Sequence, residues 1–159
     1  MIFVAVGTQK FQLNRLLKEI DNLIEKGVIT EEVFAQTGES DYIPKRYGYG
    51  KFINKEQFEE KISECDILIT HGGVGTIVAG LKRGKKVIVF PRRAKYAEHV
   101  DDHQLEIAEA FSQKDYVIAC EEAADLESAV AQCTTKQFAQ YESQRELMLG
   151  VIRNFLDTI

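Results

Sequence analysis

Tryptophan is absent from this 159-residue chain, and proline occurs only twice. No linker, repeat or low-complexity segment breaks it, which excludes a proline-rich spacer between domains. Cysteine is scarce and odd in number: Cys65, Cys120 and Cys133 form no C-x-x-C pair. That excludes a disulfide framework and gives no zinc-finger spacing; reduced thiols in a cytosolic protein are the expectation. A basic excess is also missing. With a net charge of −5, the chain has no overall field to attract nucleic acid or anionic lipid, and a nucleic-acid partner is not expected. The opening MIFVAVGTQ has neither a basic leader region nor a cleavage site, and its apolar run is too short to cross a bilayer. It reads as a first strand.

What is present is an ordinary globular composition, 45% hydrophobic and 28% charged. The length suits one domain over residues 1–159, enough to bury about 70% of the unfolded surface. Apolar β-rich runs at Ile2–Val6, in EEVFAQTG, DILIT, KKVIVFP and YVIAC read as strands, with a further short strand in YIPKRYGYGKF. Between them, FQLNRLLKEIDNLIEKG, NKEQFEEKISEC, VGTIVAGLKRG, DDHQLEIAEAFSQ and DLESAVAQ carry helical spacing, with Asn54 as an N-cap. A C-terminal amphipathic helix is expected over about 137–159, packed on its own sheet or, alternatively, docked to a partner or a second copy. Alternating strands and helices predict an α/β fold: a single Rossmann-like domain with a mainly parallel sheet. Basic residues cluster at Lys82–Lys86 and Arg92–Lys95, and read as solvated helix-end and loop charge.

Ligands of such folds sit beyond the carboxyl ends of the strands. Three loops are expected there: Gly7-Thr8-Gln9, Thr37-Gly38-Glu39 and His71-Gly72-Gly73-Val74-Gly75-Thr76. The last runs straight into a helix. A helix N-terminus carries unpaired N–H groups and a positive dipole, glycines allow close approach, and Thr76 adds a hydroxyl donor. This pattern points to an anion site, against the plainer reading of a tight turn that needs glycine. The turn lacks the lysine and spacing of a P-loop. It also lacks the third glycine of a dinucleotide turn, and no acid follows the next strand. An NADP-dependent reductase, with Arg92 on a 2′-phosphate, is the weakest alternative.

The order HGGVGT, then VIVFPR, then AEHVDDHQLEIA resembles the donor-nucleotide half of GT-B glycosyltransferases, in particular family 28. FVAVGTQKFQLNRLL, QTG and KYAEHVDDHQLEI are similar to its stand-alone catalytic subunits, which work in two-component enzymes of capsule, exopolysaccharide and dolichol-linked sugar assembly. The resemblance implies roles for particular residues. Gly7, Thr8, His71, Gly72, Gly73, Gly75 and Thr76 would hold the donor diphosphate and nucleotide. Asp102, His103 and Gln104 would contact the donor sugar. Arg92 would face diphosphate charge or an acidic partner surface, and Glu98 and His99 would close over the donor. No catalytic base stands out; Gln9 and Glu39 border the cleft and are the weak candidates. His99 and His103 are spaced i,i+4, but Asp101 suits a helix N-cap, which takes His99 off the helix. No metal and no cofactor is therefore expected; the substrate is a UDP-sugar. The resemblance further implies a membrane-anchored partner carrying the acceptor half, a lipid-linked saccharide acceptor, a cytoplasmic protein held at the membrane through that partner, and homo-oligomers when the partner is absent. A non-catalytic nucleotide-binding module is the competing class.

Overall fold

The computed structural model describes residues 1–141. Six strands alternate with five helices: β1 Ile2–Ala5, α1 Asn14–Glu25, β2 Val33–Gln36, β3 Gly48–Gly50, α2 Lys55–Glu64, β4 Ile67–Thr70, α3 Val74–Lys82, β5 Lys86–Val89, α4 His103–Gln113, β6 Ile118–Ala119 and α5 Asp125–Gln132. The sheet order is β3-β2-β1-β4-β5-β6 and every pairing is parallel. The α/β class expected from the alternation is thus what the chain forms.

Period-two side-chain alternation splits the core in two. Ile2 and Val4 of β1 point to one face and join Leu16, Leu17, Ile20 and Leu23 of α1 and Leu126 and Val130 of α5. Phe3 and Ala5 point to the other and join Ile62 of α2, Ile77 and Leu81 of α3, and Ile107 and Phe111 of α4. Both faces of the sheet are covered, which is why β1 and β4 are buried at every position. Residues 136–141 follow α5 without helical structure, and the rest of the expected C-terminal helix lies outside the described residues.

The sheet order positions the site. From β1 the chain moves outward through β2 to β3, then returns across the sheet to β4 on the other side of β1. The loops after β1 and β4 therefore leave toward opposite faces, one into α1 and the other into α3. Such a reversal opens a crevice at the carboxyl ends of the two central strands.

Candidate functional site

A cavity of about 420 Å³ occupies that crevice. Gly7, Thr8 and Gln9 line it after β1, and His71, Gly73, Gly75 and Thr76 after β4. Gln36 at the end of β2 and Ile53, Lys55 and Phe58 around the start of α2 complete its wall. These last four were not read from the sequence. The junction after β3 is a strand-end loop like the others, and that was the available signal. Glu39 is exposed and does not line the cavity.

The glycines of the turn serve different ends. A Cβ on Gly73 would stand 2.4 Å from Cε1 of His71, and one on Gly7 2.6 Å from its Nε2. The His71 ring is gripped between two stretches of bare main chain. A Cβ on Gly72 would stand 2.5 Å from that of Gln104, so this glycine lets α4 approach. Packing alone demands these three. Gly75 is different: nothing lies within 4 Å of its added Cβ. It sits in the first turn of α3, where glycine is a poor helix former, and it faces the cavity.

Two helix N-termini border this cavity, and they are finished differently. At α2, Asn54 accepts from the Gln57 N–H at 2.8 Å and the Gln57 side chain accepts from the Asn54 N–H at 3.1 Å, closing a capping box. At α3 the N-cap is Gly73, and no side chain caps the helix. Its first N–H groups and its positive dipole end are left for something else to satisfy.

His71 is 6% exposed and its Nδ1 is buried without a hydrogen-bond partner. Burial first, and then the charge of Arg92, lower its pKa to about 4. The ring is therefore neutral at neutral pH, one nitrogen donating and the other accepting.

The loop after β5 stands apart from the cavity lining. Arg92 is not a solvated or partner-facing residue: it is 1% exposed and donates inward, to the carbonyls of Phe11 at 2.8 Å, Gln12 at 3.2 Å and Glu98 at 3.4 Å, and to that of Val6. Its terminal nitrogens are spent on these carbonyls and the unpartnered Nε is buried, so the fork is not presented to the 2′-phosphate of NADP. Glu98, expected to close over a donor, is likewise 1% exposed and already held: its carboxylate accepts from Arg15 at 3.0 and 3.1 Å and from the Arg93 N–H at 2.9 Å. Gln104 is 4% exposed, and its Oε1 accepts two main-chain N–H groups, of Gly72 and of Arg92, each at 3.1 Å. Asp102 Oδ1 accepts from the Ala94 N–H at 2.9 Å. Asp101 Oδ1 accepts from the His103 N–H at 3.0 Å, and His99 Nδ1 lies 3.1 Å from the same oxygen. Because α4 begins at His103, His99 lies outside the helix. Among the described residues no group of three or more His, Cys, Asp or Glu side chains is placed to hold a metal ion.

Three comparisons bear on this arrangement. The sequence profile of the glycosyltransferase family 28 C-terminal domain matches residues 1–157. The human UDP-N-acetylglucosamine transferase subunit ALG13 is 25% identical over 126 residues, covering 75% of this chain but only 11% of that protein. Among solved structures, MurG of Acinetobacter baumannii superposes with a TM-score of 0.56 at 17% identity, over 83% of this chain and 40% of that one. The glycosyltransferase SnogD from Streptomyces nogalater does so with a TM-score of 0.57 at 17% identity, over 96% and 38%. The chain thus has the fold of one part of a GT-B enzyme, and spans about a tenth of the length of its human relative.

Proposed function

This chain belongs to the glycosyltransferase family 28 C-terminal domain family, and on that premise we propose that it is the donor-binding half of an inverting glycosyltransferase. It takes a UDP-sugar into the cavity between β1 and β4, with the diphosphate against the N-terminus of α3. The observation that carries this reading is the uncapped start of α3 with Gly75 opening onto the cavity. A diphosphate there receives unpaired N–H groups, the helix dipole and the Thr76 hydroxyl. Lys55, on the facing rim, adds a cation, and Ile53 and Phe58 form an apolar wall for the base. Asp102 and His103, at the start of α4, lie outside the cavity lining, and their role as donor-sugar contacts rests on the family resemblance.

As an acceptor hydroxyl attacks the anomeric carbon from the opposite face, negative charge grows on the departing diphosphate. Fixed donors aimed at that charge need no reorganisation during the reaction; removing one such donor in comparable sites costs about 3 kcal/mol of barrier. The acceptor, a polyprenyl-diphosphate-linked sugar, and the general base come from a membrane-anchored partner. The membrane contact is assigned to that partner, at the cytoplasmic face; among the described residues of this chain no helix is long and apolar enough to cross a membrane. The unit moved is a hexosyl group (galactose, glucose, N-acetylglucosamine or glucuronic acid) in capsule or exopolysaccharide assembly. That the human relative is itself a transferase subunit supports the division of labour.

Ligand-observed NMR with UDP, ADP and NADPH tests the reading. UDP is expected to bind selectively. Gly75→Val, whose side chain enters open space, should keep the melting temperature and weaken UDP by more than about tenfold. If UDP binds neither the chain nor its co-expressed complex, or binds the variant as well as the parent, the assignment of this cavity is wrong.

A further inference from the structure

The largest fully buried side chain among the described residues is a cation, Arg92. Among the described residues no carboxylate hydrogen-bonds to it: the Glu98 carboxylate is held by Arg15 and by the Arg93 N–H, and favours the Arg92 charge only through space. The hydrogen bonds from its two terminal nitrogens go to main-chain carbonyls, of Val6, Phe11, Gln12 and Glu98, while its Nε has no partner. Burying a charge this way is costly, and an apolar side chain would fill the same volume without that cost. The fork must therefore supply something an apolar side chain does not. Val6 immediately precedes Gly7, and Phe11 and Gln12 close the loop that Gly7 begins. The Arg92 N–H shares the Gln104 oxygen with the Gly72 N–H, each at 3.1 Å. Arg92 thus ties the loop after β1 to the turn after β4.

We propose that Arg92 is a positioning residue of the donor site: its fork gathers the main chain around Gly7 so that Gly7 and Gly73 close on the His71 ring and shape the cavity wall. This rests on the reading of that cavity as the donor site. The same placement sets the charge state of the ring. Burial and the Arg92 charge lower the His71 pKa to about 4, His99 acts in the same direction, and Gln104 opposes them. The wall is then a neutral ring backed by a permanent cation, and ligand affinity does not follow a histidine titration.

Heteronuclear NMR of the histidine rings, with UDP affinity measured in parallel, tests this in the parent chain, Arg92→Lys and Arg92→Met. The parent His71 should titrate near 4. Arg92→Lys keeps the charge, so His71 should stay low, yet an ammonium cannot reproduce the fork and UDP should bind about tenfold more weakly. Arg92→Met should lose at least as much affinity and let His71 rise by the part the Arg92 charge contributes, with burial still holding it below its ordinary value. An unchanged His71 in Arg92→Met, or parent-like UDP binding by Arg92→Lys, overturns the proposal. If UDP binds neither the parent chain nor its co-expressed complex, the donor-site reading fails and the positioning role falls with it, while the ring titration still reports the Arg92–His71 coupling separately. If neither variant folds, the parent titration decides: a His71 near 6.5 overturns it.

Discussion

The turn after β4 and the loop after β5 leave adjacent strands paired through Thr70 and Val89, yet they are finished in opposite ways. In the turn, polar groups are left over: α3 has no cap, and His71 Nδ1 has no partner. In the loop the carboxylates are engaged, and only Arg92 Nε and Arg93 Nε among its buried side-chain nitrogens and oxygens lack a hydrogen-bond partner. Glu98 holds Arg15 in a fork, and the Arg15 guanidinium lies 4.4 Å from the centre of the Phe90 ring and 4.3 Å from that of Tyr96. Glu122 accepts from Lys95 at 2.8 Å and from the Tyr96 hydroxyl at 2.5 Å. Buried polar groups are normally paired, and the unpaired ones that border the cavity, at His71 and the start of α3, are where a ligand belongs. The interlinked network of the loop, outside the cavity lining, is the frame that holds it. The sequence suggested binding roles for both regions; the structure divides the labour between them.

The sharpest break in that contrast is Glu98→Ala. Removing one member of a buried pair should destabilise by about 3 kcal/mol and lower the melting temperature by roughly 10 °C; a parent-like melt would mean the loop is not a frame. Next comes Gly73→Val, whose side chain would drive into the His71 ring. It should cost about 2 kcal/mol by overpacking, whereas Gly75→Val, two residues on, should unfold with the parent in the same denaturant series. Equal losses at the two glycines would erase the distinction between a packing glycine and a ligand-facing one. The smallest effect is expected at Glu122→Gln. Hydrogen bonds from Lys95 and Tyr96 hold the Glu122 pKa at about 2, below its ordinary 4.5. A depressed acid stabilises the fold above its unfolded value, and that contribution fades as pH falls from about 4.5 to about 2. The parent should lose stability over this window with a steeper slope than the variant. Superimposable acid titrations would show the surface network to be inert.

Legibility followed the range of the interaction. The run from β4 through the glycine turn to α3 was readable because each part is local: an apolar strand, small residues, then helical spacing. Asn54 was readable as a cap because its partner, Gln57, lies three residues away. Gln36 and Lys55 were missed because they reach the cavity only when β2 and β3 pair beside β1. Arg92 was misread because a charge run is usually solvated, and Glu98 because the resemblance gave its loop a donor-facing role. Their partners sit far along the chain, Phe11 and Gln12 for one and Arg15 for the other.

The sequence by itself determined the alternating α/β elements, the parallel sheet, the glycine-rich entry to α3 and the family resemblance. Each rests on side-chain periodicity or on a short motif, and both are properties of neighbours in the chain. Tertiary structure alone decided which of these glycines make room for His71 and Gln104 and which one opens to the cavity. It also decided that Arg92 points inward while Lys55 faces the cavity. The physical reason is that burial and hydrogen-bond satisfaction depend on what packs against a residue, and here those neighbours arrive from strands and loops distant in sequence.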